Sequence, residues 1–414
     1  MESLGVYCEA RRVGTVTLDD GGRFAFAYGD EWQADATAFA ISRSLPLRST
    51  DTAPTAGHAF FANLLPEGRV REFVARNLGV SPANDFALLD ALGGECAGAL
   101  VISRAPPRTK KPSYRPLDQR EIAALASRGR AFAETSGTAG IRLSLAGAQD
   151  KLAVKVDGDD LLLPEGDSPS THILKFANRD YKQLPENELF VTRLSARCDI
   201  PTVEVELRAI GKVRHLLVRR YDRAVDEHGS IRRLHQEDLC QALGVPPIRK
   251  YEEEGGPRFD QCFALVDDAS VEPALDTRAL LRWLVFNLIV GNADGHAKNL
   301  SLVHVHRRAL RLAPFYDLLS TAVYPRIAIR PAMAVSGKTN PGQIARKDWR
   351  ALAQTIKVGS YLEDSVRELA QELPDKAREL SHELVAEYGK LSVIESILTV
   401  VRKRARRLER LLDA

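Results

Sequence analysis

Two polar side chains with chemical potential lie in one short loop between apolar segments. Asp294 and Asn299 are separated by four residues in the run Gly291-Asn-Ala-Asp-Gly-His-Ala-Lys-Asn299, which follows an apolar helical pattern and precedes an apolar strand pattern. A carboxylate in such a loop can orient or deprotonate a hydroxyl group, and an amide oxygen can bind Mg²⁺. This pairing predicts the transfer of a phosphoryl group to a hydroxyl.

A second carboxylate and a lysine extend this pattern. Asp317 follows the aromatic pair Phe315-Tyr316, at the position where a protein kinase has its second metal-binding carboxylate. Lys175 interrupts an apolar strand pattern, and a lysine on the inner face of a sheet is costly to bury unless an anion such as a nucleotide phosphate meets it. The order of strand Lys, loop Asp-x4-Asn and metal Asp is typical of protein kinases.

The helix predicted after Lys175 offers it a partner. Glu186 and Glu188 lie at the start of a helical pattern that runs to about Arg197, and protein kinases pair a strand lysine with a helix glutamate. Glu188 is the preferred partner, and Glu186 is not excluded. Each of these residues, taken singly, also has a purely structural interpretation as a turn former, a helix cap or a surface lysine. Together and in this order they favour a kinase.

A stretch of small residues precedes the first strand of the same region. The sequence Arg142-Leu-Ser-Leu-Ala-Gly-Ala-Gln-Asp-Lys151 can present backbone N–H groups to a phosphate, with Lys151 adding positive charge. It matches neither a P-loop nor the GxGxxG pattern. Gly337-Lys338-Thr339 has the last residues of a P-loop, but Ala332 stands where the first glycine is required, so a P-loop NTPase is disfavoured.

Two pairs of potential metal ligands leave a metallohydrolase as a minor alternative. In each pair, one residue separates the two ligands. Asp294 and His296 form the first pair, and His304 and His306 form the second. The second pair alternates along a strand pattern, and no ordered set of carboxylates accompanies either pair. This alternative is therefore disfavoured.

The composition is that of an ordinary globular chain. Its 414 residues are 44% hydrophobic and 27% charged, which is enough for a substantial core and two or three domains. The five cysteines form no CxxC pair, which favours reduced thiols over disulfides or zinc. The amino terminus lacks a signal-peptide pattern, and no apolar run approaches the roughly 18 residues of a membrane span. We expect a cytoplasmic protein without membrane contact.

Net charge identifies no partner, because Lys and Arg outnumber Asp and Glu only by 58 to 55. The segment 401–414 nevertheless concentrates basic residues, namely Arg402, Lys403, Arg404, Arg406, Arg407 and Arg410. A solvated helix face is the preferred interpretation, and a contact with nucleic-acid phosphates is the alternative.

The elements that must position these residues fall into four parts. Residues 1–105 combine short apolar segments with a helical stretch and predict a small α+β unit, and the Pro-rich residues 106–130 predict a linker. Residues 131–235 predict a sheet with one inserted helix, and residues 236–414 predict helices. The predicted fold is α+β and two-lobed like a protein kinase, with a sheet-rich N-lobe, an extra amino-terminal unit and an all-helical C-lobe. The strands predicted for the N-lobe are Leu152–Val156, Leu161–Leu163, His172–Phe176, Val203–Leu207 and Leu216–Val218.

Motifs along nearly the whole chain resemble the HipA family of toxin kinases. In the amino-terminal part, the motifs are Ser44-Leu-Pro-Leu47, Phe60–Gly68 and Leu92–Leu100. In the remainder and in the order of the family, they are Ser144–Lys151, Thr171–Lys175, Arg220–Arg223, Gln236–Asp238, Gly291–Asn299 and Phe315–Asp317. The amino-terminal unit in the same chain indicates the single-chain form of the toxin and not its split relatives.

The resemblance implies a role for each matching residue. Asp294 would be the catalytic base, Asn299 and Asp317 would bind Mg²⁺, and Ser144 would be an autophosphorylation site that switches the kinase off. Lys175 would hold the phosphates of the nucleotide. The other implied nucleotide-binding residues are Ala146, Gly147, Ala148, Gln149, Asp150 and Lys151 in a phosphate-covering loop, Arg219, Arg220 and Tyr221 in a hinge that binds adenine through backbone groups, and His296, Lys298 and Tyr316 near the phosphates and metal.

The resemblance also implies an activity and partners. Family members are ATP- and Mg²⁺-dependent serine/threonine protein kinases that phosphorylate aminoacyl-tRNA synthetases, glutamyl-tRNA synthetase being the known type. A small DNA-binding antitoxin, HipB-like here, neutralises them and would connect the chain to operator DNA.

Two alternatives remain open. A non-catalytic binding module on the same fold would be expected to have lost Asp294, Asn299 or Asp317, and none is lost. A small-molecule kinase would keep all three, so only the acceptor separates it from a protein kinase.

Overall fold

The computed structural model describes residues 2–48, 55–107, 111–128, 151–177, 180–210, 213–306, 308–325, 327 and 330–413. The chain forms two compact units, and each is assembled from separate segments of the sequence. Unit 1 comprises Met1–Phe176, Arg208–Pro247 and Val303–Ala309. Unit 2 comprises Ala177–Leu207, Ile248–Leu302 and Leu310–Ala414.

The amino-terminal part of unit 1 is a four-stranded antiparallel sheet with short helices. Its strand order is β3-β2-β1-β4, where β1 is Ser3–Cys8, β2 is Arg11–Leu18, β3 is Phe24–Tyr28 and β4 is Leu100–Ser103. The helices are α1 (Asp30–Ala34), α2 (Ala56–Asn63), α3 (Gly68–Leu78) and α4 (Asp85–Leu92). Strand and helix side chains share one buried apolar core, with Leu4, Val16 and Phe61 at its centre. The small α+β unit expected from the sequence is present.

The second sheet of unit 1 has six strands in the order β5-β7-β6-β8-β10-β9. Helix α5 (Gln119–Arg128) precedes β6 in the chain. The apolar core of this sheet includes Leu152, Leu174 and Leu217. The strands are β5 (Ser113–Pro116), β6 (Lys151–Asp157), β7 (Asp160–Glu165), β8 (His172–Lys175), β9 (Val205–Ile210) and β10 (Val213–Arg219).

Two details of this sheet differ from the sequence prediction. Part of the predicted linker is folded, because β5 pairs with β7 at the edge of the sheet, where a proline such as Pro116 is tolerated. The strand predicted from Val203 begins instead at Val205, since the Val203 N–H donates to the carbonyl oxygen of Phe315 at 3.0 Å.

The structure also contains short strands that were not predicted from the sequence. Strands β11 (Arg223–Val225) and β12 (Ile231–Arg233) form an antiparallel pair. A three-stranded sheet follows in the order β13-β14-β15, made of β13 (Gln236–Asp238), β14 (Ser301–His306) and β15 (Ala309–Leu312). Residues 236–414 are therefore mostly, but not entirely, helical.

Unit 2 is built mainly from helices packed on helix α9 (Pro273–Val290). The last turns of α9 are buried on all sides, as expected for a central helix. The long helical pattern predicted from Ser360 to Leu412 forms two helices, because Gly389 ends the first in a backbone conformation (φ 76°, ψ −170°) that is essentially restricted to glycine. No helix in the described part of the chain is both long and apolar enough to cross a membrane. The remaining helices, of which only α7 lies in unit 1, are α6 (Leu184–Arg197), α7 (Leu239–Ala242), α8 (Phe259–Ala269), α9 (Pro273–Val290), α10 (Arg346–Thr355), α11 (Tyr361–Tyr388) and α12 (Ser392–Asp413).

Candidate active site

The loop that carries Asp294 and Asn299 is held by hydrogen bonds among its own residues. The Asp294 N–H donates to Oδ1 of Asn292 at 3.0 Å, and Nδ2 of Asn299 donates to the carbonyl oxygen of Asp294 at 2.9 Å. Asn292 Nδ2 donates to Oδ1 of Asn287 at 2.8 Å, which anchors the loop to α9. This hydrogen bond uses the amide nitrogen of Asn299 and not its Oδ1, which is the atom that a metal ion would need.

The loop begins at a residue that must be glycine. Gly291 ends α9 with φ 78°, and a Cβ atom there would lie 2.7 Å from the Cβ of Ala322. Thr321 connects the two ends of this turn, since its Oγ1 accepts the Ala293 N–H at 2.8 Å and donates to the Gly291 carbonyl at 3.0 Å. The backbone that leads to Asp294 is thus fixed by packing and by hydrogen bonds.

A side chain from the last helix supports the same end of α9. Arg404 on α12 donates from Nη1 to the carbonyl oxygen of Leu288 at 2.8 Å, and burial lowers the pKa of its guanidinium. A cation beside the last carbonyls of a helix is favourable. The other basic residues of segment 401–414 are exposed on this helix, namely Arg402, Lys403, Arg406, Arg407 and Arg410. This exposure is what the preferred interpretation, a helix face in contact with solvent, requires.

The Asp294 carboxylate is half exposed and contacts two aromatic side chains. Its side chain is 47% accessible to solvent. The Tyr251 hydroxyl donates to Oδ1 of Asp294 at 2.7 Å. His296 Nε2 lies 3.7 Å from the same oxygen, and the imidazole packs edge-on against the Tyr251 ring with centroids 5.4 Å apart. Tyr251 precedes Asp294 by 43 residues and lies outside every sequence motif described above.

Asp317 adopts a backbone conformation that is unfavourable for a residue with a side chain. Its φ of 55° lies in the left-handed region. Phe315 stacks on Trp283 with ring centroids 5.7 Å apart, and the Tyr316 hydroxyl donates to the carbonyl oxygen of Lys298 at 3.1 Å. The two aromatic residues therefore fix the chain immediately before Asp317. Local strain held by well-packed neighbours is typical of functional sites.

Helix α6 makes a contact with this region that the sequence analysis missed. Asn187 Nδ2 donates to the carbonyl oxygen of Ser320 at 2.9 Å, and the Ser320 N–H donates to Oδ1 of Asn187 at 2.8 Å. Both residues are completely buried. This two-way pairing ties α6 to the chain shortly after Asp317. Glu186 and Glu188 flank Asn187 and are also buried.

Two lysines lie opposite each other on one face of the six-stranded sheet of unit 1. Antiparallel pairing of β6 with β8 places Lys151 directly across from Lys175, which is buried. Directly opposed side chains point to the same face, and like charges in such a pair repel. An anion near this face would be attracted by both cations, as predicted for nucleotide phosphates. Lys175 belongs to unit 1 and Glu188 to unit 2, and their pairing remains a prediction.

The predicted hinge, Arg219–Tyr221, follows strand β10 directly. The Arg220 N–H donates to the carbonyl oxygen of Thr171 at 3.0 Å, so a backbone contact with adenine would use the other groups of this segment. The Tyr221 hydroxyl donates to Oε1 of Gln236 at 2.7 Å. The side chain of Arg220 points into a buried cluster of charges.

That charge cluster joins the hinge segment to the amino-terminal part of the chain. Glu95 accepts hydrogen bonds from Arg220 at 3.0 Å, from Arg223 at 3.1 Å and from Arg233 at 2.6 Å. Asp222 accepts two more from Arg220, at 2.9 and 2.7 Å. Burial raises the pKa of Glu95, but Arg223, Arg233 and Arg220 outweigh this effect and bring that pKa down to about 2. We name these five residues the Glu95 cluster; their association was not predicted from the sequence.

The predicted site residues divide between the two units. Asp294, His296, Lys298, Asn299, Tyr316 and Asp317 belong to unit 2. Lys151, Lys175, Arg219, Arg220 and Tyr221 belong to unit 1. Ser144, Ala146, Gly147, Ala148, Gln149 and Asp150 lie outside the described residues.

Asn299 and Asp317 have the ligand types that Mg²⁺ prefers. Among the described residues, no group of three or more His, Cys, Asp or Glu side chains is placed to hold an ion. A nucleotide-bound Mg²⁺ does not need such a group, because one or two protein ligands act together with phosphate oxygens and water. One carboxylate and one amide oxygen, both in structurally fixed segments, fit this kind of site.

The structure offers no support for the two disfavoured alternatives. The His304 ring packs against Phe39 and His235, with centroids 4.8 and 5.0 Å away, in an aromatic cluster of unit 1. Ser336 and Gly337 both have positive φ values and form a tight turn between Val335 and Lys338. A P-loop would instead lead directly into a helix.

Comparisons with known proteins agree with these motifs. Residues 4–103 match the HipA N-terminal domain, and residues 143–380 match the HipA-like C-terminal domain. The putative kinase Y4mE of Sinorhizobium fredii is 41% identical over 364 residues, which cover 86% of each chain. The serine/threonine-protein kinase toxin HipA of Shewanella oneidensis is 31% identical over 333 residues, which cover 78% of this chain and 75% of that protein.

A solved structure is similar over the full length. It is the complex of the Shewanella oneidensis toxin–antitoxin proteins HipA and HipB with their operator DNA. The match has a TM-score of 0.85 and 26% sequence identity, and it covers 99% of both chains. The predicted α+β kinase-like fold and the resemblance seen in the sequence are thereby confirmed. Both domain matches and the Shewanella oneidensis relative lead to the same assignment: the chain belongs to the HipA family of toxin kinases.

Proposed function

We propose that this protein is an ATP- and Mg²⁺-dependent serine/threonine protein kinase and the toxin of a toxin–antitoxin system. One observation carries the proposal: the Asp294 carboxylate is half exposed on a loop whose backbone is held by Asn292 and Asn299. A base that must receive a proton from an incoming hydroxyl needs this combination of access and fixed geometry.

In the proposed phosphoryl transfer, each residue of the site has a task. Asp294 accepts the proton of a serine hydroxyl while the serine oxygen bonds to the γ-phosphorus of ATP. The bond from that phosphorus to the bridging oxygen breaks, and ADP leaves. Lys151 and Lys175 attract the phosphates from one face of the sheet. Asn299 and Asp317 would hold Mg²⁺, which neutralises phosphate charge when bound.

The acceptor and the regulation extend this proposal. The acceptor is a serine of a cytoplasmic protein, an aminoacyl-tRNA synthetase of the glutamyl type, and autophosphorylation of Ser144 inactivates the kinase. A HipB-like antitoxin is the partner and provides the connection to operator DNA. The structural match to HipA from a complex with HipB and operator DNA, over 99% of both chains, supports this partner class. The family resemblance around Ser144 supports the autophosphorylation site.

Substitution of Asp294 tests the proposal. Wild-type protein and Asp294→Ala are incubated with γ-labelled ATP, Mg²⁺ and a bacterial lysate, and labelled proteins are identified by mass spectrometry. Transfer should fall by about 10²–10⁴-fold in the variant, while ATP binding stays near that of the wild type, because Asp294 faces the acceptor.

Asp267→Ala is the matched control, since it removes an exposed carboxylate from α8 of the same unit. It should retain full transfer. Absence of any labelled protein with the wild type, or near-normal transfer by Asp294→Ala, would refute the proposal. Label that appears only in small molecules would favour a small-molecule kinase.

A further inference from the structure

Tyr251 reaches Asp294 from a segment that has its own anchors. The residue after it, Glu252, donates its N–H to the carbonyl oxygen of Ala332 at 3.0 Å. The Glu252 carboxylate accepts the Ala334 N–H at 2.6 Å, so both its backbone and its side chain hold this segment. The position of Tyr251 is therefore set independently of its hydrogen bond to Asp294.

That hydrogen bond distinguishes the two oxygens of the carboxylate. Tyr251 donates to Oδ1 at 2.7 Å, and His296 also lies on the Oδ1 side, at 3.7 Å. The Tyr251 and His296 rings pack against each other, which restricts the movement of both. The Asp294 side chain nevertheless remains 47% exposed, and neither of these two contacts involves Oδ2.

We propose that Tyr251 is a positioning residue for the catalytic base, which holds Oδ1 of Asp294 so that Oδ2 faces the acceptor hydroxyl. The inference rests on the proposed kinase function and adds a residue to it. A carboxylate rotates easily about its last bond, and one donor on a rigid ring removes most of that freedom.

The movement of protons in the transfer step is consistent with this role. The acceptor proton moves to Oδ2, the acceptor oxygen bonds to the γ-phosphorus, and ADP is the leaving group. Tyr251 keeps its own proton throughout, because its hydroxyl is the donor to Oδ1. It therefore orients the base and exchanges nothing with the substrate.

Removal of the hydroxyl tests the inference. Autophosphorylation from γ-labelled ATP and Mg²⁺ is measured under single-turnover conditions for the wild type and Tyr251→Phe, which keeps the ring against His296. The rate at saturating ATP should fall roughly tenfold, the effect expected for one lost hydrogen bond to a charged group. The ATP concentration for half-maximal rate should stay unchanged, because the hydroxyl contacts the base and not the nucleotide.

Tyr361→Phe provides the matched control. The Tyr361 hydroxyl is buried and has no hydrogen-bond partner within the part of the chain that the structure describes. Its removal should leave the rate unchanged. In an Asp294→Ala background, Tyr251→Phe should change the residual rate by less than about twofold, because its effect acts through the missing carboxylate.

A second pair of variants separates the hydrogen bond from the ring. Tyr251→Gln and Tyr251→Leu both lose the ring, but only Gln can donate to Oδ1. At equal folded fraction, measured by thermal unfolding, Tyr251→Gln should be the faster of the two.

Three results would overturn the inference. The first is a Tyr251→Phe rate within about twofold of the wild-type rate. The second is a fold-loss of rate from Tyr251→Phe that is the same in the Asp294→Ala background as in the wild type, and the third is equal rates for Tyr251→Gln and Tyr251→Leu. A wild-type protein that transfers no phosphate at all would instead refute the proposed function, and this inference with it.

Discussion

Replacement of Glu95 by Gln should destabilise unit 1, because this carboxylate is the meeting point of three buried arginines. Arg220, Arg223 and Arg233 all donate to Glu95, whose side chain is only 4% exposed. Gln has nearly the same shape but carries no charge. The variant would leave the three guanidinium groups with Asp222 as the remaining carboxylate of the Glu95 cluster.

The size of the effect follows from the pKa of Glu95. Although burial raises it, the three arginines lower this pKa from 4.5 to about 2. A pKa change of one corresponds to about 1.36 kcal/mol, so ionised Glu95 stabilises the fold by about 3 kcal/mol. Breaking a buried ion pair costs a comparable amount, about 3–5 kcal/mol. We expect the Tm of unit 1 to fall by on the order of 6 °C or more.

The pH dependence provides an independent check. Because the pKa is lower in the folded state, the contribution of Glu95 is fully present above pH 4.5 and is lost as the pH falls towards about 2. The difference in unfolding free energy between wild type and Glu95→Gln should therefore be constant from neutral pH down to about pH 5 and shrink below pH 4.5.

Thermal and urea unfolding of both proteins measure this difference. Glu227→Gln is the control, since this side chain of unit 1 is 86% exposed and should matter little. A Glu95→Gln protein as stable as this control at neutral pH would refute the electrostatic account of the Glu95 cluster. A difference that persists unchanged at pH 3 would do the same.

Three further predictions concern the proposed site. Asp317→Ala should weaken Mg²⁺-ATP binding about tenfold or more in a nucleotide titration, because a metal-binding carboxylate is lost; unchanged affinity would remove Asp317 from the site. Gly291→Ala should lower the unfolding free energy by about 1–3 kcal/mol more than Gly79→Ala, since both glycines end a helix in the left-handed region but only at Gly291 would a Cβ clash, 2.7 Å from Ala322; equal losses would contradict this. Mass spectrometry after equal incubation with Mg²⁺-ATP should find phosphate on Ser144 in the wild type and at most a trace there in Asp294→Ala, and the modified protein should bind ATP more weakly; an unmodified wild type or unchanged affinity would exclude the switch.

The residues that could be predicted from the sequence are those with local signals. Asp294 and Asn299 were singled out by their spacing in one loop, and in the structure the Asn299 amide donates to the carbonyl oxygen of Asp294 at 2.9 Å. Strands β2, β3, β6 and β7 follow from short apolar segments between turns. In each case the information lies within a few consecutive residues.

The missed features depend on residues far apart in the chain. Tyr251 and Asp294 are 43 positions apart, and Asn187 and Ser320 are 133 positions apart. A tyrosine in an acidic stretch or an asparagine in a helix has many structural uses, so neither residue type specifies a partner. The burial of the Glu95 charge could not be predicted from the sequence either, because the Gly-Gly-Glu segment that contains it resembles an ordinary exposed loop.

The contact between Arg404 and the end of α9 bears on where the functional unit of this family ends. The match to the HipA-like C-terminal domain stops at residue 380, and Arg404 lies beyond it, on the last helix. Its guanidinium nevertheless holds the Leu288 carbonyl, one turn before the loop of Asp294. A polypeptide cut at residue 380 would keep Asp294, Asn299 and Asp317 and would still match the family. It would lack the side chain that secures the helix from which the catalytic loop starts.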